Sequence, residues 1–347
     1  MKLLCTAKLP ANLLERYLLP LTLYDAVDEI VVVRQEPLPP NLPKLRNVNF
    51  PKGPLGLDAL RMLREAELVL RHEQIDFTLG FNPVPWGALG FAAGQVHRVP
   101  ACVSFIGLDF KRAMQPWAAP ALRALNHAHL VTVTGERMRR GLIERGVKAE
   151  KIRILPHAVD TNRFRPSDSE PDLDLISVGH LIPRKRMDVV VDAVAELKAR
   201  GIEVRTGILG EGPERAALEA QIKARGVEGL VTLLGFRHDV EAVLQRARIF
   251  ALVSDWEGVP FAMIEALCTG LVPIVTDVGT IGDWIEHEKN GHIVGVGDAT
   301  ALANSIQRLL QDQAHHAELK QKSLDVRQSL SLEAGVAFWR DALGGRR

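Results

Sequence analysis

Short apolar runs alternate with longer stretches of helical periodicity along the whole chain. In the second half, residues 173–178 form an apolar run ending near Gly179, and residues 187–200 carry Val190, Val194 and Leu197 at helical spacing before Gly201. The unit repeats. Strands are expected at 204–209, 230–234, 248–253 and 272–276, with helices near 214–225, 239–246, 261–268 and 300–311 between or after them. The first half follows the same rhythm more loosely, with strand candidates at 3–7, 30–33, 77–81, 101–105 and 130–134 and an amphipathic helix over 57–73. Such βαβα order predicts α/β architecture, with parallel sheets covered by helices on both faces and ligands at the carboxyl ends of the strands.

Length and composition narrow the class. The 347 residues suit two domains, and 47% apolar with 24% charged residues reads as soluble and globular. No run approaches the roughly 18 to 20 apolar residues of a membrane span, and the N-terminus leads into a strand rather than a secretory signal. Cys5, Cys102 and Cys268 sit among apolar neighbours, as reduced core thiols of a cytoplasmic protein do. No CxxC pair or histidine-rich run points to zinc, so no metal is expected. His127 and His129, two apart near a helix end, face different ways.

The near-neutral total hides an asymmetry. Residues 1–166 hold 23 Lys and Arg against 15 Asp and Glu, and residues 167–347 hold 20 against 27, so +8 and −7 make up the net +1. The boundary falls in a Pro/Ser/Asp stretch, Arg165 to Asp172, that reads as a linker. A basic N-terminal half suits an anionic acceptor or peripheral contact with an anionic membrane face; scattered arginines that only keep the surface soluble are the alternative. Trp117 near Arg112 and Arg123 reads as a packed surface residue, with an interfacial anchor as the second reading. No nucleic-acid partner is expected.

The candidate chemistry lies in the second half. Glu257 and Glu265 bracket a Gly-Val-Pro turn where a strand runs into an apolar helix, a setting in which two carboxylates can grip different hydroxyls of one sugar-containing ligand. No GxxxxGK[ST] is present, which argues against a P-loop nucleotide hydrolase. Gly210-Glu211-Gly212-Pro213-Glu214 follows a strand and opens a helix, with Pro213 at the first helical position, but it lacks the third glycine of a dinucleotide fingerprint. Gly179-His180-Leu181-Ile182-Pro183-Arg184-Lys185-Arg186 ends a strand and sets three cations before a helix. That helix end is already positive, so the cations fit an anion bound between them; an exposed basic loop is the other reading.

In order and spacing, Gly179 to Lys185, Gly210 to Pro213, Ser254 to Gly258 with Glu265-Ala266-Leu267, and Asn290-Gly291 resemble the landmarks of the retaining GT-B glycosyltransferases of family 4. Pro156 to Asp160 with Phe164-Arg165-Pro166 matches that family's interdomain segment. The likeness is good over about residues 100–300. It implies two facing Rossmann-like, doubly wound domains with a cleft between them: residues 1–166 on the acceptor side, 167–328 on the nucleotide-sugar side, and a terminal helical segment, 329–347, crossing back with Phe338 and Trp339 as packing residues.

The resemblance also implies roles. Lys185 would hold the donor diphosphate, together with Gly179, His180, Arg184, Gly210 and Gly212 along the two loops. Glu265 would take the ribose hydroxyls, and Glu257 the donor sugar. Backbone N–H groups around Gly258, Val259, Phe261 and Ala262 would meet sugar and phosphate, while Phe236 and Arg237 would contact the base. Asp109, after Gly107, would approach from the acceptor side. Such enzymes use the leaving phosphate to assist the acceptor hydroxyl, so neither enzymic nucleophile, metal nor cofactor is expected.

Three departures stand out. His180 occupies the place of a usual Arg, which Arg184 or Arg186 would replace; Ile106 occupies that of a frequent His; and the glycine-rich first loop has no counterpart, since the first glycine is Gly53. Lys8 is the candidate replacement contact there. The implied activity is transfer of a sugar from a nucleotide diphosphate sugar, UDP-linked in preference to GDP-linked, to a hydroxyl on a glycan, lipid-linked or small-molecule acceptor. The implied location is the cytoplasm or the inner membrane face. The alternatives are a GT-B nucleotide-sugar epimerase and an inactive sugar-nucleotide-binding scaffold subunit.

Overall fold

The computed structural model describes residues 1–39, 42–53, 57–82 and 86–344, apart from the side chains of Leu108 and Asp109. The chain forms two compact units, Met1–Ala158 completed by the last helix, and Val159–Ser331.

In the first unit the elements run β1 (Lys2–Thr6), α1 (Ala11–Thr22), β2 (Glu29–Arg34), β3 (Leu45–Asn49), α2 (Leu57–His72), β4 (Phe77–Phe81), α3 (Ala88–Val96), β5 (Ala101–Ser104), α4 (Leu108–Ala113), α5 (Ala119–Ala124), β6 (Leu130–Val133), α6 (Glu136–Glu144) and β7 (Ile152–Ile154). The second unit continues with β8 (Leu173–Val178), α7 (Met187–Ala199), β9 (Thr206–Leu209), α8 (Arg215–Ala224), β10 (Val231–Gly235), α9 (Val240–Leu244), β11 (Ala247–Leu252), α10 (Phe261–Thr269), β12 (Val272–Thr276), β13 (His292–Val294), α11 (Ala299–Gln311) and α12 (Gln313–Asp325). Helix α13 (Leu332–Gly344) belongs to the first unit.

Both sheets are parallel throughout. Their orders are β3-β2-β1-β4-β5-β6-β7 and β10-β9-β8-β11-β12-β13. In each, the chain winds outward from the first strand in one direction and then returns to build the other side. The order therefore reverses between β1 and β4, and again between β8 and β11. Crossover helices on both faces open a crevice at such points, beyond the carboxyl ends of the strands.

The strands are apolar because they are covered on both faces. In the second unit one layer gathers Val190, Val194, Leu197 and Ile208, and the other Phe250, Met263, Ile264 and Leu267, all buried. The three cysteines are buried and unpaired. Burial pushes the thiols of Cys5 and Cys102 up to about 12.

Three strands escape the periodicity. β3, β7 and β13 are edge strands; β7 and β13 have three residues each, and β3 reads Leu-Arg-Asn-Val-Asn with no fully buried position. Neither length nor alternation distinguishes such segments from loop. The Pro213 position also differs, since α8 begins at Arg215 and Pro213 lies in the turn before it. Trp117, expected to be packed, is 64% exposed.

Helix α13 locks onto α1 through Gly335, where a Cβ would stand 2.9 Å from the Pro20 ring. Beyond it Trp339 is wholly buried, and the Phe338 ring lies 4.6 Å from the Arg153 guanidinium, which pairs with Asp341 at 2.7 Å. Trp339→Ala is expected to destabilise the chain by about 3–5 kcal/mol, read from the urea midpoint. A loss below ~1 kcal/mol would show that α13 is a detachable appendage.

Candidate functional site

Beside the second unit's switch point, two loops touch as bare backbone. β8 ends into Gly179 and β9 into Gly210, and the Gly179 N–H donates to the Leu209 carbonyl at 2.9 Å. A Cβ at Gly210 would lie 1.9 Å from the Gly179 carbonyl oxygen, and one at Gly212 only 2.3 Å from that of Leu181. Gly210 also holds φ +148°, which side-chain-bearing residues rarely adopt. The Leu181 N–H donates to Glu211 O at 2.9 Å and the Glu214 N–H to Leu181 O at 3.0 Å, closing the two loops on each other.

Above this floor the chain makes a short 3-10 turn, residues 183–185, and enters α7 through Arg186 in left-handed backbone at φ +50°. The turn carries Lys185 back over Gly179, whose missing Cβ would stand 3.3 Å from Lys185 Cε. Lys185 Nζ then donates to Glu257 Oε1 at 2.6 Å, and Ser254 Oγ donates to the same oxygen at 2.6 Å. Both charges are largely withdrawn from water, with side-chain exposures of 13% and 4%. Glu257 follows β11, so the pair spans the point where strand order reverses.

The loop bearing Glu257 is braced from below. Thr276 Oγ1 donates to Ser254 O at 2.7 Å, Thr280 Oγ1 donates to Gly258 O at 3.1 Å, and the Asp255 N–H donates to Arg184 O at 2.8 Å. These bonds fix the loop without using the Glu257 carboxylate.

The neighbouring cations divide by partner. Arg186 is held by Asp188, with Nε–Oδ1 3.1 Å, and by Asp255, with Nη1–Oδ1 3.2 Å. The hydrogen bond to Asp188, and then that to Asp255, keeps its guanidinium above the ordinary range. Arg184 is exposed, with Nη1 donating to Trp256 O at 3.1 Å and the guanidinium 5.7 Å from the Trp256 ring. Of the two arginines that could stand in for the one absent at His180, Arg184 is thus the one without a carboxylate partner among the described residues. His180 itself is exposed.

Other expected contacts are spread wider. Phe236 is 68% exposed beyond β10, edge-on to His238 at 4.8 Å. Arg237 beside it pairs with Asp239, whose hydrogen bond raises its pKa. Glu265 lies on α10, 3% exposed, and its charge helps to raise the pKa of Arg163, after the larger effect of Glu241. The Phe261 N–H, expected to meet sugar or phosphate, donates to Val259 O at 3.0 Å in the turn entering α10. Gly258, Val259 and Ala262 are half-buried around that turn.

The first unit has a parallel construction at its own switch point. Lys8 follows β1 and sets its ammonium 4.4 Å from the Trp86 ring, beyond β4. Gly107, at φ +76°, turns the chain from β5 into α4. Asp109 lies in α4, but its side chain is outside the described residues. Ile106, in place of the family's histidine, is buried.

Beside Lys8 and Trp86, next to the end of β2, is a cavity of about 240 Å³ lined by Lys8, Leu9, Arg34, Gln35, Phe50 and Trp86 among others. Arg34 is 5% exposed, and its Nη2 donates to Leu9 O at 3.2 Å. Among the described residues, its Nε and Nη1 have no hydrogen-bond partner. Burial pulls the Arg34 pKa down, against the charges of Glu36 and Glu15. Sequence reasoning missed Arg34; the available signal was a lone cation closing an apolar strand, Ile-Val-Val-Val-Arg.

Comparison with known proteins divides along the same line. The model described as Glycosyltransferase Family 4 matches residues 23–163, and that described as Glycosyl transferases group 1 matches residues 159–325. An Escherichia coli (strain K12) protein assigned to colanic acid biosynthesis as glycosyltransferase WcaL is 34% identical over 177 residues, 48% of this chain and 44% of that protein. The amylovoran biosynthesis glycosyltransferase AmsK of Erwinia amylovora is 33% identical over 185 residues, 50% of this chain and 45% of that protein. The chain thus spans less than half the length of these relatives. The crystal structure of Anabaena Alr3699/HepE in complex with UDP superposes with a TM-score of 0.80 at 18% identity, over 99% of both chains.

Removing one member of a buried ion pair leaves the other uncompensated, which costs about 3–5 kcal/mol. Lys185→Met is expected at the lower end, about 3 kcal/mol, because Ser254 still donates to Glu257. Adding Glu257→Gln is expected to recover part of the loss in a urea-denaturation double-mutant cycle. Strictly additive losses would contradict the contact.

Proposed function

The chain belongs to the family-4 GT-B glycosyltransferases, and on that premise we propose that it moves a sugar from a nucleotide diphosphate sugar to a hydroxyl acceptor with retention of anomeric configuration. A UDP-sugar is the favoured donor, and the acceptor belongs to polysaccharide or glycoconjugate synthesis. The observation that carries this reading is the Lys185–Glu257 pair, set over a glycine-only floor at the carboxyl ends of β8 and β9. UDP in the HepE structure and the polysaccharide roles in the relatives' names support it.

The chemistry follows from charge. As the bond from sugar to phosphate breaks, negative charge grows on the leaving diphosphate. A fixed ammonium stabilises that charge more than it stabilises the ground state. Lys185 supplies it, with Arg184 as the second cation. Glu257 holds hydroxyls of the donor sugar, and Glu265 those of the ribose. The leaving phosphate takes the acceptor's proton on the face it vacates, so the incoming oxygen enters from that face and the configuration is kept. No cofactor takes part in this scheme.

On the acceptor side, Arg34 and Lys8 favour an acceptor with an anionic group, such as a phosphate or carboxylate. A buried guanidinium with two nitrogens unpartnered among the described residues costs desolvation that an oxyanion relieves. Trp86 offers an aromatic face to the attached sugar or lipid.

Binding to the folded state raises the melting temperature, so a thermal-shift panel of UDP, GDP and ADP separates the donors. UDP is expected to stabilise the chain most, and Lys185→Ala, checked for its fold by circular dichroism, to lose at least about tenfold in affinity, equivalent to ~1.4 kcal/mol. An unchanged UDP response in that variant would remove the phosphate role. For the acceptor, Arg34→Met is expected to erase a preference of about tenfold in kcat/KM for phosphorylated over unphosphorylated sugar acceptors, leaving donor KM unchanged. Equal use of both acceptors by the unaltered chain would refute the anionic acceptor.

A further inference from the structure

Away from the donor site, the turn between β12 and β13 and the first turn of α12 bring together three side chains that the sequence leaves unconnected. His292 begins β13, which is separated from β8 by β11 and β12. Its Nε2 faces His315 Nε2 at 3.2 Å. Glu288 completes the group, with Oε2 3.4 Å from His315 Nε2 and Oε1 3.7 Å from His292 Nε2. We propose that Glu288, His292 and His315 form a zinc-binding site that ties the β12–β13 turn to α12, an assignment independent of the transferase reading.

The distances carry the argument. Zinc bound at about 2.0–2.2 Å in tetrahedral geometry separates its ligand atoms by about 3.3–3.5 Å. Two observed edges, 3.2 Å between the imidazole nitrogens and 3.4 Å from His315 Nε2 to Glu288 Oε2, match that separation, and one ligand atom from each of the three residues lies within 4.8 Å of the other two. Two imidazole nitrogens and a carboxylate oxygen are ligands that zinc accepts readily, and three protein ligands leave the fourth position for water.

The surroundings hold the ligands in place. His292 is 1% exposed. His315 sits in the first turn of α12, where its N–H donates to the capping Asp312 carboxylate at 2.9 Å. Glu288 is fixed by its turn: its N–H donates to Gly291 O at 2.9 Å, Asn290 Nδ2 donates to Trp284 O at 2.8 Å, and Ser323 Oγ on α12 donates to Asn290 O at 3.1 Å. Glu288 adopts φ +64°, a left-handed conformation that costs a non-glycine residue energy. That strained backbone presents the carboxylate to both imidazoles.

The outer contacts orient the carboxylate further. His287 Nδ1 accepts the Ile293 N–H at 2.9 Å, so its proton is on Nε2, 3.6 Å from Glu288 Oε1. Arg308 Nη1 also takes Oε1, at 2.6 Å, which leaves Oε2 for the ion. Arg308 competes electrostatically with zinc. The affinity expected is therefore that of a modest site rather than of a thiolate cage.

The test uses the full chain after chelator treatment, titrated with Zn²⁺ by calorimetry and, in parallel, with Co²⁺ by visible absorption. One zinc per chain, a rise in melting temperature and the intense visible bands of four-coordinate cobalt are expected. His315→Gln and Glu288→Gln are each expected to weaken binding at least about tenfold, while their metal-free melting temperatures stay near that of the parent chain. The inference is overturned if neither variant changes zinc binding. It is equally overturned if zinc leaves the melting temperature unmoved while His315→Gln lowers that of the metal-free chain, because the two imidazoles then share only a hydrogen bond.

Discussion

The loops after β8 and β9 can approach only because neither has a side chain where they cross. With a Cβ at Gly210 at 1.9 Å from the Gly179 carbonyl and one at Gly212 at 2.3 Å from that of Leu181, any larger residue would push the loops apart. Everything above them inherits that contact. The 3-10 turn that follows is placed by it, Lys185 folds back across Gly179 because of the turn, and the ammonium comes within 2.6 Å of Glu257 from the far side of the switch point. A charge pair this withdrawn from water is weakly favourable at best as a source of stability. Its value lies in holding a cation, ready for an anion, at the place where two crossover connections part.

The same construction appears twice. In each unit the chain reverses direction across its sheet after the third strand, and in each a loop at that reversal carries a cation: Lys185 in one and, in the other, Lys8, with Arg34 nearby at the end of β2. In the second unit the cation already has a carboxylate. In the first, Lys8 rests on the Trp86 ring and, among the described residues, two Arg34 nitrogens have no acceptor. The basic excess of the first half, +8, is thus not merely a diffuse surface property, because one of its charges is buried beside a cavity.

Much of this was legible in the sequence because parallel strands covered on both faces are unbroken apolar runs. β8 and β12 stand where the pattern put them, and β9, β10 and β11 within two residues. The edge strands β3, β7 and β13 were not legible: they are short or half polar, and pairing along one edge defines them. The residues of the second unit's loops could be named from order and spacing, but not the direct contact of Lys185 with Glu257, 72 positions apart. Nor could the use of the Phe261 N–H within its own turn be read. Arg34 and the Glu288, His292 and His315 group were invisible for one reason: their neighbours are brought together by tertiary folding, and no local pattern marks them.

The central claim is that Glu257 holds Lys185 in the free protein and yields it to the phosphates of a bound nucleotide. Calorimetric titration of UDP into Glu257→Gln tests this most directly. The variant keeps the shape of the side chain but removes a negative charge next to the proposed diphosphate site. UDP affinity equal to or higher than that of the parent chain is predicted, because the lysine is released from its competitor. A UDP affinity at least about tenfold lower would show instead that Glu257 itself holds the nucleotide, and would contradict the account.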